Sequence, residues 1–215
     1  MSVRTRIKIC GVSQGADVEA AVEAGADAVG FVFYPPSPRH LTFARAAELA
    51  RALPPFVTPV GLFVNAGPSA IAAALEAVPQ LVLQFHGEES ADFCAGFHRP
   101  YLKAARMAPG VDLLDFAARH PAAQALLLDA HVEAYGGSGK VFDWSLVPSG
   151  VPLPVVLSGG LHAGNVIDGI RQLRPWAVDV SSGVESARGV KDAAAIRRFC
   201  EAVREADGRC AAAEA

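Results

Sequence analysis

Short apolar runs alternate with alanine-rich amphipathic stretches from one end of the 215-residue chain to the other. The runs at 6–10, 28–33, 59–64, 81–85, 101–105, 125–129, 155–158 and 177–180 are bounded by Gly, Pro or polar residues. Brief runs that are apolar on both faces read as strands of a parallel sheet. Between them, 14–24, 43–53, 69–78, 90–97, 111–118, 165–173 and 193–204 carry helical spacing. Ser13, Thr42 and Asp192 stand where helix N-caps belong. After the sixth strand, 143–146 offers one turn at most.

Eight strands followed by helical segments predict a single α/β domain, an eight-stranded parallel (β/α)8 barrel with short loops, over residues 1–206. Residues 207–215 are small and polar and read as a frayed, disordered tail. An open flavodoxin-like sheet uses five strands and leaves three unexplained. The barrel typically takes about 250 residues, so the connections must be tight. The 15 prolines and 20 glycines agree with that.

Strand alternation assigns faces. On the first strand Ile7 and Ile9 pack outward, so Lys8 and Cys10 point into the barrel. On the eighth, Val178 and Val180 pack outward and Asp179 points inward. The first and eighth strands are neighbours in a closed barrel, so Lys8 and Asp179 are expected to pair; a buried Lys is hardly tolerated otherwise. Gln84 shares a face with His86, and Leu127 with Asp129. Cys10, His86, Asp129 and Asp179 therefore converge at the C-terminal strand ends, where barrel enzymes do their chemistry. Each has a plainer explanation: a small buried thiol, a turn at His86-Gly87, a carboxylate starting a loop, a counter-ion for Lys8. Their joint position favours function.

Two turns add a second cluster. Ser158-Gly159-Gly160 follows the seventh strand and Ser181-Ser182-Gly183 the eighth, the loops where barrels frequently bind phosphate. Glycine admits an anion close to backbone N–H groups, and serine adds donors. The proline-stiffened segment 34–39 holds Arg39 beside the mouth, where a guanidinium suits a carboxylate; a plain surface arginine is the other reading. The stretch 136–140 resembles a phosphate-binding P-loop, but Val141 stands where Ser or Thr is required.

Composition narrows the partners. Hydrophobic residues reach 52% and charged ones 19%, against typical values of about 45–50% and about 25%, so the core is large for the surface. A net charge of -3 and a pI near 6.1 leave no footprint for nucleic acid. The six histidines and four cysteines show neither metal-ligand spacing nor a disulfide framework. No signal peptide or membrane span is visible, which leaves a cytoplasmic protein with reduced thiols as the expectation.

The motifs KICGV, GFVFYPPSPRHLT, GLFVN, QFHGEE, LLLDA, GGSGKVFDW, LSGGL with GNV, and VDVSSGVES with GVKD occur in order across residues 8–199. Together they resemble the phosphoribosylanthranilate isomerase family of tryptophan biosynthesis. Phe85 and Ser158 depart mildly, standing where leucine and alanine are common. The resemblance implies an Amadori rearrangement with Asp129 as general acid and Cys10 as general base. It implies that Arg39 holds the substrate carboxylate and that Gly159, Gly160, Ser181, Ser182 and Gly183 hold the phosphate. His86 and Asp179 line the site in supporting roles. No cofactor or metal is implied; the partner is a small phosphorylated molecule, with no nucleic acid or membrane, and monomer or homodimer is left open. Alternatives are a neighbouring phosphate-binding barrel enzyme, such as ribulose-phosphate epimerase or indole-glycerol-phosphate synthase, and a non-catalytic phosphate-binding barrel.

Overall fold

The computed structural model describes residues 4–130 and 141–213. The P-loop look-alike at 136–140 and the rest of the glycine-rich stretch from 131 lie outside the described residues. Eight parallel strands close into a barrel in sequence order: β1 (Arg6–Cys10), β2 (Ala28–Val32), β3 (Thr58–Phe63), β4 (Val82–Phe85), β5 (Tyr101–Met107), β6 (Ala125–Ala130), β7 (Val155–Leu157) and β8 (Ala177–Val180). Closure is made by β1 on β8, with Lys8 level with Asp179. Around it lie α1 (Gly15–Glu23), α2 (Phe43–Arg51), α3 (Pro68–Ala77), α4 (Ala91–Ala95), α5 (Leu113–Arg119), α6 (Val166–Leu173) and α7 (Ala193–Ala213). Between β6 and β7 the described residues hold one 3-10 turn, Trp144–Leu146. After β8 comes an element the apolar pattern does not announce, the antiparallel hairpin β9 (Glu185–Ala187) and β10 (Val190–Lys191).

Caps explain where the helices begin. Thr42 Oγ1 accepts from Arg45 N at 3.2 Å, and Asp192 Oδ1 accepts from Ala195 N at 2.7 Å. Ser13 does not cap α1. Asp17, inside the helix, reaches back to accept from the backbone of Ser13 and Gln14 at 2.8 and 2.9 Å, which satisfies those donors from the other side.

The expected frayed tail from 207 is a correction. Helix α7 runs unbroken through Ala213, because its buried stripe Ile196, Phe199, Cys200, Val203 continues at helical spacing into Ala206 and Cys210. Asp207 also reaches β1, accepting from Thr5 N at 2.9 Å and Thr5 Oγ1 at 2.7 Å.

The core has two parts. The larger lies between strands and helices and includes Phe33, Phe63, Phe85 and Tyr101, whose rings meet with centroids 5.2–6.4 Å apart. The barrel interior is filled by a smaller set, Ala104, Ala125, Leu127, Val156 and Ala177. Small and branched side chains there leave room above them for the polar residues of the mouth.

Candidate active site

Cys10 ends β1 and is almost wholly buried. Two residues below it on the same face, Lys8 Nζ donates to Asp179 Oδ1 at 2.7 Å, the pairing that strand alternation implied. Ser158 Oγ donates to the other carboxylate oxygen at 3.3 Å. A Cβ on Gly30 of β2 would stand 2.8 Å from Cys10 Sγ and 3.1 Å from Lys8 Nζ, so thiol and ammonium lie over the same glycine. Burial works against the Lys8 cation, yet Asp179 and Cys10 together outweigh it and hold the ammonium above its usual value. Burial likewise pushes the Cys10 thiol up; Lys8 pulls it down, Asp179 pushes it up again, and Lys191 pulls it down.

Across the mouth, His86 Nε2 lies 3.0 Å from Asp129 Oδ2, and Gln84 Nε2 lies 3.1 Å from His86 Nδ1. Asp129 Oδ1 accepts from the backbone of Ala130 at 2.9 Å. The Asp129 side chain is a quarter exposed, and that of His86 is 14% exposed. The position near the C-terminal end of β6 carries Asp129 out of the apolar layer and into the mouth.

The turns after β7 and β8 face the same space. Gly159 and Gly160 adopt φ of 77° and 66°, a left-handed conformation that glycine enters without penalty. A Cβ on Gly159 would also lie 2.5 Å from Ala130 N and 2.9 Å from Asp129 Oδ1. Gly183 has a different reason from the expected one. A Cβ there would meet the Leu161 carbonyl at 1.9 Å, so the residue lets the two turns pack backbone against backbone. Gly159, Gly160, Ser181 and Ser182 line the pocket, whereas Gly183 stands behind it.

Arg39 is not on a free arm. The loop 34–40 folds back on β2, with Leu41 N donating to Val32 O at 2.9 Å, and this brings the guanidinium to the rim in a buried position. There Nε and Nη2 donate to Glu185 at 2.6 and 2.8 Å. Lys191 Nζ donates to Glu185 at 2.8 Å and to the Ser181 carbonyl at 2.9 Å. The hairpin thus ties the Arg39 guanidinium to the turn after β8. Burial opposes the Glu185 anion, but Arg39 and Lys191 hold its carboxyl below the usual range. Neither Glu185 nor Lys191 stands out in the apolar pattern; the signal available was their place in the VES and GVKD motifs.

One pocket gathers Cys10, Arg39, His86, Asp129, Asp179 and the two turns, with a volume of about 700 Å³ including space open to solvent. A carboxyl, a thiol, a guanidinium at the rim and two donor-rich turns equip it for proton transfer on a small anionic molecule. Among the described residues no group of three or more His, Cys, Asp or Glu is placed to hold a metal ion, and no helix is long and apolar enough to cross a membrane.

The chain is similar to known proteins along almost its whole length. A relative from Methylibium petroleiphilum, N-(5'-phosphoribosyl)anthranilate isomerase, is 70% identical over 212 residues, covering 99% of this chain and 100% of the relative. The crystal structure of phosphoribosyl anthranilate isomerase from Thermotoga maritima superposes with a TM-score of 0.86 at 41% identity, covering 94% of this chain and 99% of that one. A further isomerase structure, in complex with reduced 1-(o-carboxyphenylamino)-1-deoxyribulose 5-phosphate, has a TM-score of 0.81 at 38% identity over 94% of this chain and 99% of that one. A family model described as N-(5'phosphoribosyl)anthranilate (PRA) isomerase matches residues 7–202. With nearly its whole length matched, the chain belongs to the N-(5'-phosphoribosyl)anthranilate isomerase family.

Proposed function

We propose that this chain catalyses the Amadori rearrangement of N-(5-phosphoribosyl)anthranilate to 1-(2-carboxyphenylamino)-1-deoxyribulose 5-phosphate, the isomerase step of tryptophan biosynthesis, with Asp129 as acid and Cys10 as base. The observation that carries the reading is the placement of a thiol and a carboxylic acid on opposite sides of one pocket roofed by two donor-rich turns. Asp129 gives its proton to the furanose ring oxygen, and the C1–O bond breaks with the electron pair going to oxygen. The substrate nitrogen supplies the new C=N bond, giving an iminium at C1. That cation makes the C2 proton acidic, and Cys10 removes it to leave an enolamine. Proton return to C1 and loss of the enol hydroxyl proton give the ketone, so the atoms balance without an external oxidant or reductant.

The turns Gly159-Gly160 and Ser181-Ser182 hold the phosphate, and Arg39 engages the anthranilate carboxylate. Glu185 occupies Nε and Nη2 of Arg39, so the carboxylate approaches through the remaining edge of the guanidinium. Phosphate binding fixes the reacting carbons between acid and base, and orientation of that kind is worth far more than affinity alone. The test is an assay of the purified chain with freshly generated N-(5-phosphoribosyl)anthranilate beside related phosphorylated aminoaldoses. Rapid conversion of the anthranilate compound to the ketose is expected. Turnover of another aminoaldose in its place would move the assignment to a different phosphate-binding barrel reaction.

A further inference from the structure

The acid side of the pocket contains an amide whose orientation decides what its neighbours can do. Gln84 is fully buried on β4. Its Nε2 sits 3.1 Å from His86 Nδ1, while its Oε1, also buried, has no hydrogen-bond partner. With the amide donating, Nδ1 must be the bare ring nitrogen, and Nε2–H then donates to Asp129 across 3.0 Å. That arrangement favours a carboxylate, the wrong state for an acid. Half a turn of the amide brings Oε1 onto a hydrogen at Nδ1. The imidazole then either accepts from a protonated Asp129 or stands as imidazolium beside its carboxylate. These two forms hold the same number of protons along one line.

We propose that Gln84 is a positioning residue whose amide reverses to let the His86–Asp129 pair take up, and hold, the proton that Asp129 delivers to the substrate. The inference rests on Asp129 being the acid. Glutamine suits the task because one rotor carries both a donor and an acceptor, so Nδ1 is satisfied in the loaded and unloaded states alike. A buried group satisfied in only one state would disfavour the other. The added proton comes from solvent through the half-open mouth and leaves on the ring oxygen. The enol later releases one, so uptake and release balance over a turnover.

Other charged and titratable groups stand around the pair. Asp179 faces it from β8 paired to Lys8, and Arg39 is paired to Glu185. Cys10 and Tyr34 line the same pocket, and Arg106 is level with Asp129 on β5. Lys103 binds the Gly87 carbonyl and Glu89.

The test is 15N NMR of the ring nitrogens in the parent chain, with the His86 signals assigned by their loss in His86→Asn. On raising pH the His86 signals should pass from a form protonated at Nδ1 to one protonated at Nε2 alone. Gln84→Glu, which only accepts, should raise the midpoint by about one pH unit. Gln84→Met, which does neither, should lower it and reduce kcat by about tenfold. A single Nε2–H form from pH 5 to 9 in the parent chain would overturn the proposal without recourse to any variant's stability. Normal turnover in Asp129→Asn would instead remove the acid assignment beneath it. An inactive Asp129→Asn with unshifted midpoints in both Gln84 variants would leave the acid in place and overturn the role of Gln84.

Discussion

Two pairs, each joining an Asp to a nitrogen base, stand on opposite sides of the mouth in opposite surroundings. Lys8–Asp179 spans 2.7 Å with side chains 5% and 6% exposed. His86–Asp129 spans 3.0 Å and is partly open to solvent. The first lies between adjacent strands one layer below the rim, so its charges are fixed in place and act on Cys10 as a constant field. The second lies at the rim, where protons can enter and leave. In the proposed reaction the base takes its proton from the substrate and is served by the former; the acid, reloaded at every turnover, is served by the latter.

The sharpest way to break this division is to remove the proton carriers. Cys10→Ser and Asp129→Asn should each lose about 10²–10⁴-fold in kcat while still binding a product analogue, measured by steady-state kinetics and by titration. Near-normal kcat in either would reassign that role. Stability should separate the two pairs next. Lys8→Met orphans a buried carboxylate and should cost about 3–5 kcal/mol, whereas His86→Asn at the open pair should cost about 1 kcal/mol or less. Equal costs in urea unfolding would erase the contrast. Gly183→Val should raise KM by about tenfold or more, since displacing the turns by a bond length forfeits at least about 1.4 kcal/mol of phosphate binding. Inorganic phosphate should compete less well against that variant than against the parent at fixed ionic strength.

The pH profile gives the smallest and most diagnostic effect. Carboxylic acids and imidazoles ordinarily ionise below thiols, and burial pushes the Cys10 thiol higher still. The active form needs a protonated acid together with a thiolate, so it is a minority species between the two ionisations. In that regime kcat falls only after the thiol has ionised, because the gain in thiolate offsets the loss of acid until then. The alkaline limb therefore belongs to Cys10 and should lie above the ordinary thiol value. Asp179→Asn removes an anion that holds the thiol up, so it should move this limb down; a limb that rises or stays would belong to another group.

Much of this was written in the order of apolar and polar residues. Closure follows from eight runs, and the Lys8–Asp179 pair follows from alternation on strands that closure makes neighbours. The convergence of Cys10, His86 and Asp129 is legible for the same reason, since period-two patterning fixes a face wherever a strand is regular. What escaped is what depends on irregular chain. Arg39 and Glu185 are 146 residues apart and meet only because a loop folds back and a hairpin rises after β8. The need for glycine at position 183 arises from a carbonyl on another turn. The quarter-exposed state of Asp129 goes with β6 running past the end of β7, which no local pattern records.

The clasp between Thr5 and Asp207 bears on how the molecule comes into being. Its partners are 202 positions apart, and the seam it guards joins the first strand to the eighth. At about 5–20 residues per second of synthesis, roughly 10–40 s pass before the second partner is made. Until β8 is made, late in that interval, one edge of β1, with Ile7 and Ile9, has no strand to pair with and is open to wrong partners. Strand β8 brings the seam and helix α7 its fastening. Until β8 has been made, the thiol, its ammonium neighbour and their carboxylate have no common address.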